Sequence, residues 1–283
     1  MKMSDILATG RPIDPTYPTN LAIVLLSVVV TVAGTIWQLV SGGALLESVL
    51  WGIGVSIALF LTWALGRELD PDHDLSAFVG VGLALISLLV LGTPSLLLFV
   101  WLLLALRIVN RSTGLPARPL DTLAVLGLGA WLTWQGDWIV GLMTAVAFLL
   151  DGLLSPPLRP HLFLAALAFA GTVVLSLFYG DMAVRGGATV PVVLASLAMA
   201  GLFLVVIARS RHVRTVGDIT GEPLISRRVQ AAQALSLATA LLFVGWGGAS
   251  GLEALSPLWA AMVGAGLYRV AVLLMGKGKR IRV

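Results

Sequence analysis

The residues best suited to chemistry in this 283-residue chain sit in one short stretch, Arg67-Glu68-Leu69-Asp70-Pro71-Asp72-His73-Asp74. Asp70, Asp72 and Asp74 alternate, which could present oxygens to a hard divalent cation such as Mg²⁺ or Ca²⁺. An EF-hand is excluded, because Leu75 and Val81 stand where that loop needs glycine and glutamate. A second set is basic. Arg211 and Arg214, with Arg107 and Arg111 from an earlier connection, could hold a phosphate-bearing ligand through guanidinium forks, and Arg67 borders the aspartates. Arg269 is the one strong base set inside a long apolar segment, and it is expected to snorkel to the interface or to serve as a buried counter-ion.

Other chemistries lack their residues. The chain has no cysteine, which removes disulfides, thiolate nucleophiles and Cys-ligated metals. Its lysines, Lys2, Lys277 and Lys279, are all terminal, so no apolar segment holds an amine for a retinal-type Schiff base. The histidines show no triad-like spacing, and nucleophilic catalysis is not expected. Nucleic acid is not an expected partner, because no aromatics interleave with the arginines. Glu47, Asp137 and Asp151 fall at segment ends where water is near, and none lies near a midplane, which disfavours ion-coupled transport.

Gly66-Arg67-Glu68-Leu69-Asp70 resembles part of the Asp-Arg-Glu-Ile-Asp run of membrane prenyltransferases of the UbiA type. The resemblance covers five residues. Gly66 stands where that family's first metal-binding aspartate would be, the preceding Asn-Asp pair is missing, and the 151–160 connection holds only Asp151, so membership does not follow.

The elements that must position these residues are apolar. Hydrophobic residues make up 58% of the chain and charged residues 11%, against about 25% charged in soluble domains. The expected fold class is all-α, a polytopic transmembrane bundle of about ten spans near 21–40, 44–65, 76–92, 94–109, 121–136, 137–150, 161–180, 188–208, 229–248 and 256–275. The 137–150 segment is short, so 121–150 either crosses or forms a re-entrant hairpin. Residues 1–20 then form a cytoplasmic segment without a removable signal peptide, 21–275 one membrane domain, and 276–283 a basic tail.

Connections alternate between tight, nearly uncharged turns and arginine-rich loops. Sixteen of eighteen Lys and Arg fall on the second kind, and the opposite side keeps only Arg185, which predicts cytoplasmic N- and C-termini. Trp37, Trp51, Trp131, Trp134, Trp138, Trp246 and Trp259 cluster at the other ends, as interfacial indoles do. Thr93-Pro94 and Ser256-Pro257 read as helix starts. Runs of small residues in 165–171, 195–201 and 231–238 predict that these three helices are central. A Thr-Gly-x-Pro echo at Thr113–Pro116 and Thr220–Pro223 suggests a repeat of 110–150 in 217–275.

These features point to a multi-pass membrane protein, expected in a plasma membrane of prokaryotic type. The leading expectation is a transporter-like bundle for a small or lipidic solute without ion coupling. The alternatives are a cytoplasmic-face enzyme acting on a lipid phosphate with a divalent metal such as Mg²⁺, and a scaffold subunit docking a partner through its basic loops. Expected partners are membrane lipids, with anionic headgroups on the cytoplasmic side meeting Arg209, Arg211, His212, Arg214, Arg227 and Arg228.

Overall fold

The structure, a computed structural model, describes residues 7–11, 13–92, 94–178 and 186–280, with backbone alone for 276–280. Thr93, Arg185, Lys2 and the side chains of Lys277 and Lys279 lie outside the described residues.

The apolar runs become helices: α1 (Pro18–Val40), α2 (Leu45–Leu69), α3 (Asp74–Leu91), α4 (Leu96–Asn110), α5 (Pro119–Trp134), α6 (Trp138–Leu153), α7 (Pro160–Phe178), α8 (Val190–Arg209), α9 (Ser226–Gly247), the short α10 (Ala249–Ala254) and α11 (Ser256–Arg280). Among the described residues no β-strand forms, and β-type pairing is limited to one isolated bridge, Val216 to Pro223. Proline stands in the first turn of α1, α5 and α8, where its missing N–H costs no helical hydrogen bond.

Among the described residues seven helices, α1, α2, α3, α7, α8, α9 and α11, are long and apolar enough to cross a membrane, so this is a multi-pass membrane protein. The other three main helices are shorter, with 15, 16 and 16 residues in α4, α5 and α6. At 1.5 Å per residue α4 is roughly 22 Å long, less than a hydrocarbon core of about 30 Å. Its surroundings resolve the mismatch. Trp101, Phe99, Leu102 and Leu106 on α4 are fully buried, and the helix packs on α2, α5, α6 and α9. A helix walled in by protein has no need to match the bilayer's thickness.

The centre of the bundle is therefore α2, α4, α6 and α9. Of the three small-residue helices expected there, only α9 is central. On α7 and α8, Ala166, Ala170, Ala195, Ala198 and Gly201 are exposed, and one narrow stripe on each helix is buried. Small side chains permit close approach without requiring it. Close approach occurs instead where glycine meets a hydroxyl or another glycine. A Cβ on Gly141 would lie 2.3 Å from Thr172 Oγ1 and 2.5 Å from Thr133 Oγ1, locking α5, α6 and α7 together. A Cβ on Gly264 would lie 2.3 Å from Gly80 N, marking the α3–α11 contact.

The arginine-bearing connections gather at one end of the bundle. Thr215 Oγ1 donates to Pro71 O (2.8 Å), and Ile219 N donates to Thr113 O (3.1 Å). The two Thr-Gly loops of the sequence echo thus touch, and both glycines adopt left-handed backbone, φ 85° at Gly114 and 68° at Gly221. At the opposite end Trp37, Trp131 and Trp134 are exposed, but Trp246 and Trp259 are buried in the protein rather than laid in a headgroup layer.

Candidate functional site

Four buried carboxylates tie the basic end together. Glu68, at the end of α2, is fully buried. It accepts hydrogen bonds from Arg107 Nε (3.0 Å), Arg11 Nη1 (3.2 Å), Asn110 Nδ2 (3.0 Å) and Ser112 Oγ (3.1 Å). Arg11 also grips Asp218 with Nε and Nη2. Burial pulls the Arg11 pKa down, but Glu68 and Asp218 beside it hold the guanidinium above its ordinary value.

Asp121, in the first turn of α5, accepts from the backbone N–H groups of Ala8 (2.8 Å), Thr9 (3.1 Å) and Arg118 (2.8 Å). Arg107 Nη1 donates to Thr9 O (3.0 Å), and Thr113 Oγ1 to Ala8 O (2.8 Å). The N-terminal segment is thereby strapped across the helix ends.

Asp151, at the end of α6, is fully buried rather than wetted as its terminal position suggests. It accepts from Arg228 Nη1 (2.7 Å) and Arg111 Nε (2.9 Å). His161 Nδ1 lies 2.9 Å from Asp151 Oδ2, off the line of a hydrogen bond, and its Nε2 is 3.1 Å from Thr122 Oγ1. An Asp–His–hydroxyl series thus exists in space that sequence spacing does not reveal. Thr122 Oγ1 also donates to Arg118 O (3.1 Å), and neither His161 nor Thr122 lines the cavity described below. The group acts as a cross-link between α4, α5, α6, α7 and α9.

The aspartates of 70–74 part company. Asp70 is buried against Arg269 Nη2 (2.7 Å) and His73 Nδ1 (3.1 Å), and burial pushes its carboxyl above the usual range despite both partners. Asp72 Oδ1 receives the N–H groups of Arg214 (2.9 Å) and Thr215 (3.0 Å) and the Thr215 hydroxyl (2.8 Å). Partial burial raises its pKa, but these donors outweigh that and hold it below the usual range. Asp74 pairs with Arg67 Nε at 3.2 Å. Among the described residues no three His, Cys, Asp or Glu side chains converge as a metal would require, so the expected grouping of Asp70, Asp72 and Asp74 does not form.

The arginines divide in the same way. Arg67 and Arg107 line one cavity, Arg111 joins Asp151, Arg269 pairs inward with Asp70 instead of snorkelling, and Arg211 and Arg214 are exposed on the α8–α9 connection. Arg228, expected on the basic surface, is 1% exposed.

The cavity measures about 560 Å³ and opens at the basic end, within the range of roughly 300–1,000 Å³ typical of ligand pockets. Phe60, Trp63, Ala64 and Leu103 form an apolar part, while Arg11, Arg67 and Arg107 with Asp14, Asp74 and Asp218 form a polar part. Arg67 Cζ lies 5.5 Å from the Trp63 ring centroid, a cation–π contact. Trp63 is 7% exposed and its indole N–H has no partner among the described residues. Glu68, Arg11, Asp121 and Trp63 were not singled out as site residues. Glu68 had a signal, since it continues the buried helical stripe of Leu61 and Leu65. Arg11 had none, because its partners lie 57 and 207 residues away.

Compared with known proteins, the chain matches no family model, no curated protein and no solved structure.

Proposed function

We propose that this protein is a transporter-like helical bundle that takes up a small amphipathic or lipidic solute at its basic end, without ion coupling. The observation that carries the reading is the mixed lining of the 560 Å³ cavity: an aromatic and aliphatic wall contributed by α2 and α4, and a charged rim contributed by the N-terminal segment, α2, α3, α4 and the α8–α9 connection. Such a lining suits a molecule with one polar and one apolar end. The described carboxylates on the main helices, Glu47, Glu68, Asp74, Asp121 and Asp151, stand at helix ends, in keeping with uptake that needs no proton or sodium site at midplane. On the positive-inside rule the basic end faces the cytoplasm, as in a prokaryotic plasma membrane.

The scaffold reading retains one supporting observation. Arg209, Arg211, His212, Arg214 and Arg227 are exposed on a single connection, a surface suited to anionic headgroups or an acidic partner. The metal-enzyme reading has less support, because Asp70, Asp72 and Asp74 are each engaged by a different protein partner.

The test is reconstitution into vesicles with a fluorescent single-chain amphiphile, following both its binding and its transfer across the bilayer. Wild type binds and transfers it. Ala64→Phe, which fills the apolar wall, abolishes both while thermal unfolding shows a folded protein. Transfer no faster than in empty vesicles refutes transport, and absence of binding refutes the site.

A further inference from the structure

Resting on that cavity as the binding site, we propose that its ligand carries a zwitterionic phosphate–ammonium head, as a phosphoethanolamine lipid does, and that the head inserts into the Arg67–Asp74 ion pair.

The charges lining the cavity balance: Arg11, Arg67 and Arg107 against Asp14, Asp74 and Asp218. They are unequally free. Arg11 and Arg107 are committed to the fully buried Glu68, and Asp218 is committed to Arg11. Among the described residues Arg67 has Asp74 as its sole ion-pair partner, at 3.2 Å, and both side chains reach solvent, 18% and 47% exposed. The terminal nitrogens of Arg67 are left without hydrogen-bond partners among the described residues. The Trp63 ring backs the guanidinium, its centroid 5.5 Å from Arg67 Cζ. The Arg67 terminal nitrogens therefore offer the donors for phosphate oxygens.

Asp14 lies on the same rim, exposed, and receives the Thr16 hydroxyl (2.7 Å) and N–H (2.9 Å), which hold its carboxyl below the usual range and so ionised at neutral pH. The pair of acceptors for an ammonium is therefore Asp74 and Asp14. A zwitterion that parts Arg67 from Asp74 returns a counter-charge to each. A simple anion pairs Arg67 but leaves Asp74 without its counter-charge, and an uncharged head compensates neither. The acyl chain follows Trp63 onto Phe60 and Leu103, and its entry displaces water from apolar surface.

The experiment is equilibrium binding to the purified full-length chain in dodecyl maltoside, using four probes. Three share one acyl chain: lysophosphatidylethanolamine, lysophosphatidic acid and monoacylglycerol. The fourth is free phosphoethanolamine. Lysophosphatidylethanolamine is expected to bind at least about tenfold more tightly than each of the others, the scale of one charge-assisted hydrogen bond. Arg67→Gln weakens both phosphate-bearing lipids by about tenfold. Asp74→Asn weakens lysophosphatidylethanolamine and strengthens lysophosphatidic acid, reversing or erasing the preference.

Equal or tighter binding of lysophosphatidic acid or monoacylglycerol by wild type overturns the zwitterion and leaves the amphiphile site standing. Free phosphoethanolamine binding as tightly as its lipid makes the ligand a soluble zwitterion and overturns the lipid assignment. No binding by any of the three lipids refutes the cavity as an amphiphile site altogether. Asp74→Asn without effect on the preference removes the ion-pair insertion.

Discussion

Asp151→Asn removes one negative charge from the most enclosed ion cluster among the described residues without changing side-chain size. Asp151 is fully buried, the Arg228 side chain is 1% exposed and that of Arg111 is 9% exposed, so water cannot replace the lost counter-charge. Removing one partner of such a buried pair costs about 3–5 kcal/mol. The lower end applies here, because Arg228 keeps its bonds to the carbonyls of Leu154 (2.6 Å), Pro156 (2.7 Å) and Val109 (3.1 Å). A loss of about 3 kcal/mol lowers the folded-to-unfolded ratio by roughly two orders of magnitude. At about 2–4 °C per kcal/mol it lowers the melting temperature by about 6–12 °C. The assay is thermal unfolding in detergent, followed by circular dichroism at one scan rate because such transitions are often irreversible. Arg211→Gln, on an exposed loop residue, is the control and should not move the transition. Adding Arg228→Gln to Asp151→Asn should cost less than Arg228→Gln does in wild type, the signature of coupled groups. An Asp151→Asn protein melting within about 2 °C of wild type, or strictly additive costs, would refute the claim that this charge cross-links the basic ends of five helices.

Asp121→Ala deletes the acceptor of Ala8 N, Thr9 N and Arg118 N, so amide hydrogen exchange at residues 8 and 9 should accelerate by at least tenfold while α9 stays protected; unchanged exchange there would mean that the strap is held by other contacts. The Asp72 carboxyl is depressed, so its stabilising contact with the 214–215 backbone is complete above the ordinary carboxylate range and is lost as pH falls through its own lower pKa. Protection of the Thr215 amide, corrected for intrinsic exchange, should fall in that acid window, and Asp72→Asn should flatten the profile. Gly264→Ala forces a Cβ to within 2.3 Å of Gly80 N and should cost about 1–3 kcal/mol by overpacking, whereas Gly54→Ala, which meets nothing within 4 Å, should be neutral or stabilising. Because the chain has no cysteine, single cysteines at Arg211 and Trp134 should label with an impermeant maleimide from opposite sides of the bilayer; labelling from one side would overturn the assignment of the two ends.

Helix identity and position were legible in the sequence, because a run of apolar side chains long enough to matter in hydrocarbon has few alternatives to a helix, and Gly, Pro and charged residues mark its ends. All ten expected segments correspond to helices, although among the described residues only seven helices meet the length and hydropathy needed to cross a membrane. Central placement was not legible. Alanine-rich α7 and α8 lie outside while leucine-rich α4 is enclosed, because Ala and Leu are both compatible with lipid, and which face is covered depends on neighbours.

Local composition alone sets the class of solvent, the approximate helix ends and the gathering of arginines on one set of connections. The partners of the charges emerge from the packing of the folded chain. Arg11 reaches Glu68 and Asp218, Arg269 reaches Asp70 across 199 residues, and Asp70, Asp72 and Asp74 separate toward three different partners. The physical reason is that an ion pair is selected by distance and burial in three dimensions, where Coulomb attraction strengthens as water is excluded, and neither quantity is carried by spacing along a chain.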